Sequence, residues 1–195
     1  IKSTSDFYNV LKTRADKELE NGHIKNAAAL YRMSEFYTDW EDADGLAAWK
    51  KARELFFRYY ADFFSGERPI VELINVPYEG YTMPVLKFNA ESAKGTIVMH
   101  GGFDSSYEEF FIECEYLREC GYDVYLFEGP GQGECIRLYG APLVIEWEKP
   151  VMAVTEYFDL HDVILVGQSL GGFFAPRASA FDDRVTKCVS IAQFG

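Results

Sequence analysis

Asp162-Val163-Ile164-Leu165-Val166-Gly167-Gln168-Ser169-Leu170-Gly171-Gly172 is the stretch on which the fold turns. Its first half is a short apolar run rich in β-branched residues, the texture of a strand buried in a parallel sheet. Its second half is a G-x-S-x-G pattern that opens a helix. A strand passing straight into a helix forces the central residue of the bend into a strained conformation. Small residues two positions either side, Gly167 and Gly171, let strand and helix come close enough to permit it. Ser169 is therefore expected to project its hydroxyl outward, and it is the candidate nucleophile. The Leu170 N–H falls in the first turn of the helix, where amides lack internal acceptors and the dipole favours negative charge. It is a candidate donor to an oxyanion.

Working upstream, Thr96-Ile97-Val98-Met99 reads as a short buried strand that runs into His100-Gly101-Gly102-Phe103. A second oxyanion donor belongs on such a loop, and the Gly102 N–H is the candidate, because glycine lets the backbone approach a reacting carbonyl. His100 precedes the nucleophile in the chain and reads as a structural hydrogen-bonding residue of that loop. Ser105 to Cys120 reads as a helix with Phe110, Cys114 and Leu117 on one face, a capping box at Ser105-Ser106-Tyr107-Glu108 and a stop at Gly121. Asp123 to Phe127 is the next strand, Trp147 to Phe158 a further helix, and Val185 to Ile191 a last strand. Glu128-Gly129-Pro130-Gly131-Gln132-Gly133 imitates a dinucleotide loop, but Glu134 stands where the third glycine is needed, so a tight strand-exit turn is expected. Ile70 to Val76 and Met83 to Phe88 flank Pro77-Tyr78-Glu79-Gly80 and form a hairpin. The alternation predicts an α/β fold: a mainly parallel sheet with helices on both faces.

Residues 1–66 carry helical periodicity instead, enough for three helices, and form a separate helical segment before the sheet-forming part at 67–195. In the second helix Ala29, Met33, Phe36 and Trp40 fall on one face. In the third, Trp49, Ala52, Phe56, Tyr59, Tyr60 and Phe63 make an aromatic stripe for packing. Asp42, Asp44 and Gly45 do not fit a calcium loop, whose first and twelfth positions would be Trp40 and Lys51. A helix N-cap at Asp42 or Asp44 accounts for the same residues.

With 195 residues, 48% apolar, the chain can bury a core. Its 31 acidic and 19 basic residues give a net charge of −12, which repels phosphate backbones and anionic lipid, so nucleic acid is not an expected partner. No apolar run approaches a membrane span and no secretory signal opens the chain, so no membrane association is expected. Cys114, Cys120, Cys135 and Cys188 lack CxxC spacing and are expected to be buried reduced thiols, in keeping with a cytoplasmic location.

Strand, His-Gly-Gly, helix, strand, Gly-Pro-Gly-Gln-Gly, helix, strand, Gly-Gln-Ser-Leu-Gly-Gly is an order that resembles the α/β-hydrolase superfamily. The helical beginning, Glu108-Glu109-Phe110, the Gly-Pro-Gly-Gln-Gly turn and Ala175-Pro176-Arg177 resemble its acylaminoacyl-peptidase-like and dihydropseudooxynicotine-hydrolase-like branch. The resemblance implies a serine hydrolase with Ser169 as nucleophile and the Gly102 and Leu170 amides as oxyanion hole, acting on a peptide or small-molecule substrate. No cofactor and no metal are implied. The superfamily orders its triad Ser, acid, His, yet the histidines here are His23, His100 and His161, all before Ser169. About six strands are present where the resemblance calls for eight. A chain truncated after the sixth strand, its acid and base lying further on, is the expectation; a homo-oligomer is left open. Cleavage of an amide, an ester or a carbon–carbon bond beside a ketone all fit, as does a non-catalytic module that keeps only the fold.

Overall fold

The computed structural model describes residues 2–191; residue 1 and residues 192–195 of the two expected segments lie outside them. The chain divides into two compact units, one ending at Ser65 and one beginning at Gly66.

The first unit contains helices α1 (Thr4–Glu20), α2 (Ile24–Ser34) and α3 (Ala43–Tyr59). Each start has a local cause. The Ser3 hydroxyl accepts from the Asp6 N–H, and the Asp42 carboxylate accepts from the Gly45 N–H at 2.6 Å, the N-cap expected there. Ala15, Ala27, Ala48 and Ala52 meet Tyr31 and Leu55 in a core where small residues let the helices approach closely. The expected face of α2 is corrected. Ala29 and Met33 are exposed, and Ala27, Tyr31 and Ser34 are buried instead. The helix stops at Ser34, so Phe36 and Trp40 are not on it at all. Tyr31 can be buried because its hydroxyl donates to the Asp16 carboxylate. The aromatic stripe of α3 holds at Trp49, Ala52 and Phe56 but not at Tyr59, the last helical residue, which is exposed.

The second unit is built on six strands: β1 (Val71–Tyr78), β2 (Tyr81–Phe88), β3 (Thr96–His100), β4 (Asp123–Phe127), β5 (Val163–Gln168) and β6 (Val185–Ile191). They lie in the order β1-β2-β4-β3-β5-β6. The β1–β2 hairpin is antiparallel and joins β4 antiparallel; β4, β3, β5 and β6 are mutually parallel. Period-two alternation sorts the side chains. Val98, Tyr125, Phe127, Val163 and Leu165 pack on one face with Trp147, Val151 and Val154 of α6 (Glu148–Tyr157) and its entry, and with Phe174, Ala175 and Ala178 of α7 (Gly171–Phe181). On the other face lies α4 (Phe111–Glu119), whose Phe111 ring meets Phe88 and whose Cys114 thiol meets the Met99 sulfur. Apolar residues on both sides explain why the parallel strands read as unbroken hydrophobic runs.

Three expectations are revised. The helix placed at Ser105–Cys120 is a 3-10 turn at Tyr107–Phe110 followed by α4. Its capping box does not form, because the Ser105 hydroxyl is drawn to the Gly102 N–H. A short helix, α5 (Gly133–Tyr139), follows the glycine-rich turn, too brief for its periodicity to register. All four cysteines are free, but only Cys114 and Cys135 are buried; Cys188 is exposed on β6 and Cys120 is half-buried. Among the described residues no helix is long and apolar enough to cross a membrane.

Candidate active site

Parallel register sets three loops level at one edge of the sheet. His100 pairs with Phe127 on one side and Gly167 on the other, so β3, β4 and β5 end together. From β3 the chain leaves through α4 toward β4, and from β5 it leaves through α7 toward β6 on the opposite face. Between the carboxyl ends of β3 and β5 the connections therefore diverge, which is where open α/β sheets leave a crevice for ligands. The His100–Ser106 loop and the Ser169 bend occupy it.

Ser169 has φ +59°, the left-handed region that a non-glycine residue enters only at some expense, and it is exposed. Its N–H donates to the Ile191 carbonyl at 3.0 Å and its carbonyl accepts from the Gly172 N–H at 2.8 Å. Its hydroxyl has no hydrogen-bond partner among the described residues. The flanking glycines are sterically required. A Cβ on Gly167 would lie 2.0 Å from the Gly171 carbonyl oxygen, and one on Gly171 would lie 2.5 Å from the Gly101 carbonyl oxygen. Because the strain resides in the backbone of residue 169, Ser169→Gly should unfold at higher urea than Ser169→Ala, by about 1 kcal/mol after the extra freedom of the unfolded glycine is counted. Equal midpoints would mean that the bend is unstrained.

Leu170 and Gly102 meet. A Cβ on Gly102 would lie 2.5 Å from the Leu170 nitrogen and 2.9 Å from the Gly171 nitrogen. Neither the Leu170 nor the Gly171 N–H has an acceptor among the described residues, as expected for the first turn of α7. Gly102 itself is less simply placed. Its N–H already donates to the Ser105 hydroxyl at 2.8 Å, whereas the next amide along, that of Phe103, has no acceptor among the described residues.

His100 lies beneath this loop, fully buried against Phe127 and Trp147. Its Nδ1 is 2.9 Å from the Gly101 carbonyl oxygen, so Nδ1 carries the proton and donates, leaving Nε2 bare. Burial pushes its pKa down to about 4, the Gly101 bond opposing that only in part. The unfolded chain binds the same proton near the ordinary histidine value of about 6.5. Stability from this site is thus complete above that pH and is lost progressively as pH falls toward 4, by about 3 kcal/mol in all. In urea titrations from pH 7 to 4, His100→Asn, which keeps a donor for Gly101 but cannot titrate, should lose less stability than the native protein. Parallel curves would contradict it.

Two further buried residues come to the site unannounced by their sequence context. The Glu128 carboxylate accepts from the Tyr107 N–H at 3.0 Å, the Ser106 hydroxyl at 3.1 Å and the Glu134 N–H at 2.7 Å. It thereby ties the 3-10 turn to the start of α5. Gln132 accepts from the Gly129 N–H through Oε1 at 2.9 Å and donates through Nε2 to the Gly101 and Gly102 carbonyls at 2.9 and 2.8 Å. The turn read as a plain strand exit is joined to the His-Gly-Gly loop. The available signal was its two polar residues among glycines in a stretch bound to be buried.

Of the histidines, His23 lies in the helical unit beside Glu18 and His161 is exposed beside Asp159. Asp182 is bonded to Thr155 and Arg184 at the far end of α7. Among the described residues no group of three His, Cys, Asp or Glu could hold a metal ion.

The α/beta hydrolase fold family model matches residues 96–194. A hydrolase, acrC, of Aspergillus aculeatus is 44% identical over 105 residues, which span 48% of this chain and 24% of that protein. The 20-hydroxy-prefusarin hydrolase FUS2 of Gibberella moniliformis is 32% identical over 181 residues, spanning 84% of this chain and 43% of that one. The chain thus spans less than half the length of the curated relatives it matches. Among solved structures, 2,6-dihydroxy-pseudo-oxynicotine hydrolase superposes with a TM-score of 0.71 at 24% identity, covering 95% of this chain and 55% of that one.

Proposed function

The chain belongs to the α/β-hydrolase-fold family, and on that premise we propose that it carries the nucleophile and oxyanion hole of a serine hydrolase that cleaves an amide or ester by acyl transfer. One observation carries the reading. An exposed, unpartnered serine hydroxyl stands at φ +59° in the crevice between diverging connections, next to backbone amides without acceptors.

In this mechanism Ser169 Oγ attacks the carbonyl carbon while an imidazole takes its proton. The tetrahedral oxyanion sits over Leu170, accepting its N–H and one from the Gly102–Phe103 segment: Phe103 directly, or Gly102 when Ser105 turns its hydroxyl aside. The imidazole returns the proton to the leaving group. Water then attacks the acyl-enzyme and frees the acid and Ser169. None of His23, His100 and His161 suits the base. The reading accordingly requires a further histidine and a carboxylate partner in the full-length gene product. A small organic substrate is favoured over a peptide, since a relative matching most of the chain is named for one.

The test is a panel of acyl-amino amides, short esters and ketones with the full-length protein, beside labelling by a fluorophosphonate probe. Turnover of an amide or ester with label on Ser169 supports the proposal. Turnover of ketones alone shifts it to carbon–carbon hydrolysis, and no turnover with no label leaves a binding module.

A further inference from the structure

Gln132 is the only side chain for which the structure gives hydrogen bonds to two successive carbonyls of the His100–Ser106 loop, and those bonds act on peptide planes that carry the loop's amides. A trans peptide is rigid, with C=O and N–H pointing opposite ways. Holding the Gly101 oxygen therefore sets the direction of the Gly102 N–H, and holding the Gly102 oxygen sets that of the Phe103 N–H. With its oxygen turned toward the buried Gln132, the second peptide presents the Phe103 hydrogen away from the interior. Gly102, between the two planes, is the residue whose missing side chain abuts the Leu170 amide.

The orientation of the Gln132 amide admits no alternative. Reversed, it would set an oxygen against two carbonyls and an NH2 against the Gly129 N–H. Solvent cannot replace it either: the space lined by Gly101, Ser105 and Gln132 leaves no room for a water molecule. His100 supports only the Gly101 oxygen. Gln132 itself is fully buried and held from the glycine turn, which the Gly133 N–H bonds to the Ser105 carbonyl at 3.1 Å.

We propose that Gln132 is the positioning residue of the oxyanion loop, its amide fixing the Gly101–Gly102 and Gly102–Phe103 peptides so that a loop amide is held ready beside that of Leu170. This rests on the serine-hydrolase reading. Gln132 touches no reacting atom, so its effect should fall on the rate of the chemical step and not on substrate capture.

The experiment compares native full-length protein with Gln132→Met, which keeps shape without donors, and Gln132→Glu, whose carboxylate opposes both carbonyls. Active sites are counted by fluorophosphonate titration, and 4-nitrophenyl acetate hydrolysis is expressed per titrated site, so unfolded protein does not enter the rate. The expected result is a fall in kcat of about 10- to 100-fold with KM within about threefold. For Gln132→Glu the ratio to native kcat should rise as pH is lowered, since a protonated carboxyl regains one donor. A Gln132→Met kcat within threefold of native, or a loss confined to KM, overturns the inference. Absence of label on native Ser169 is a different failure: it overturns the serine-hydrolase reading, and this inference with it.

Discussion

Replacing Ser169 by alanine in the full-length gene product should lower turnover of any amide or ester substrate by about 10⁴- to 10⁶-fold and abolish fluorophosphonate labelling. The size follows from what is left behind. Without the hydroxyl no acyl-enzyme can form, and only binding and the oxyanion amides continue to act on the carbonyl. The fold should survive, because the side chain is exposed and makes no hydrogen bond among the described residues. Alanine also inherits the same left-handed backbone, so Gly167 and Gly171 keep their close approach. A variant that keeps its thermal transition while losing its rate is the expected pair of results. Activity within tenfold of native would place the chemistry elsewhere.

The parallel core was legible because its physics is local. A strand covered on both faces must be apolar throughout, so Asp123–Phe127 and Val185–Ile191 announce themselves and the structure sets their bounds at the same residues. The elbow was legible for a related reason: its glycines answer to contacts within the bend itself. Helix α2 was not. With alanine at 27, 28 and 29 the apolar stripe can be drawn on several faces, and the choice falls to Tyr31, which is buried where its hydroxyl reaches Asp16. Gln132 and Glu128 were invisible for a third reason. Their partners lie 30 or 31 and 21 or 22 residues away, brought near only when β3 and β4 align. Ser105 shows local and distant terms in competition, its capping role lost to the Gly102 amide.

That competition bears on how the oxyanion loop achieves its shape. Gly101 and Gly102 are conformationally free in an unfolded chain, yet here their carbonyls and the Gly102 N–H are bonded. Ordering two glycines carries an entropic penalty of about 1–2 kcal/mol each, which buried hydrogen bonds offset in the folded state. Preorganisation is the return, since amides that need not reorient as charge develops stabilise a transition state more than flexible ones do.

Gly102→Ala should expose how little space the site has. The new methyl carbon would lie 2.5 Å from the Leu170 nitrogen and 2.9 Å from both the Gly171 nitrogen and the Leu170 Cβ. An oxyanion held by Leu170 needs about 2.7–3.1 Å from that nitrogen, so the methyl occupies the very volume the charge would fill. Relief requires the loop to move away from α7, and the pins on Gly101 and Gly102 resist that. Either outcome removes at least one donor, so kcat should fall by about 10²- to 10³-fold, equivalent to about 3–4 kcal/mol. Fluorophosphonate labelling should slow in parallel, because the phosphonyl oxygen needs the same amides. Gly101→Ala is the informative partner. Its methyl would strike Ser105 at 2.2 Å, on the loop's inner side, and so should lower stability first and activity only as a consequence. If Gly102→Ala retained native kcat while remaining folded, the space over Leu170 would not be where the oxyanion forms.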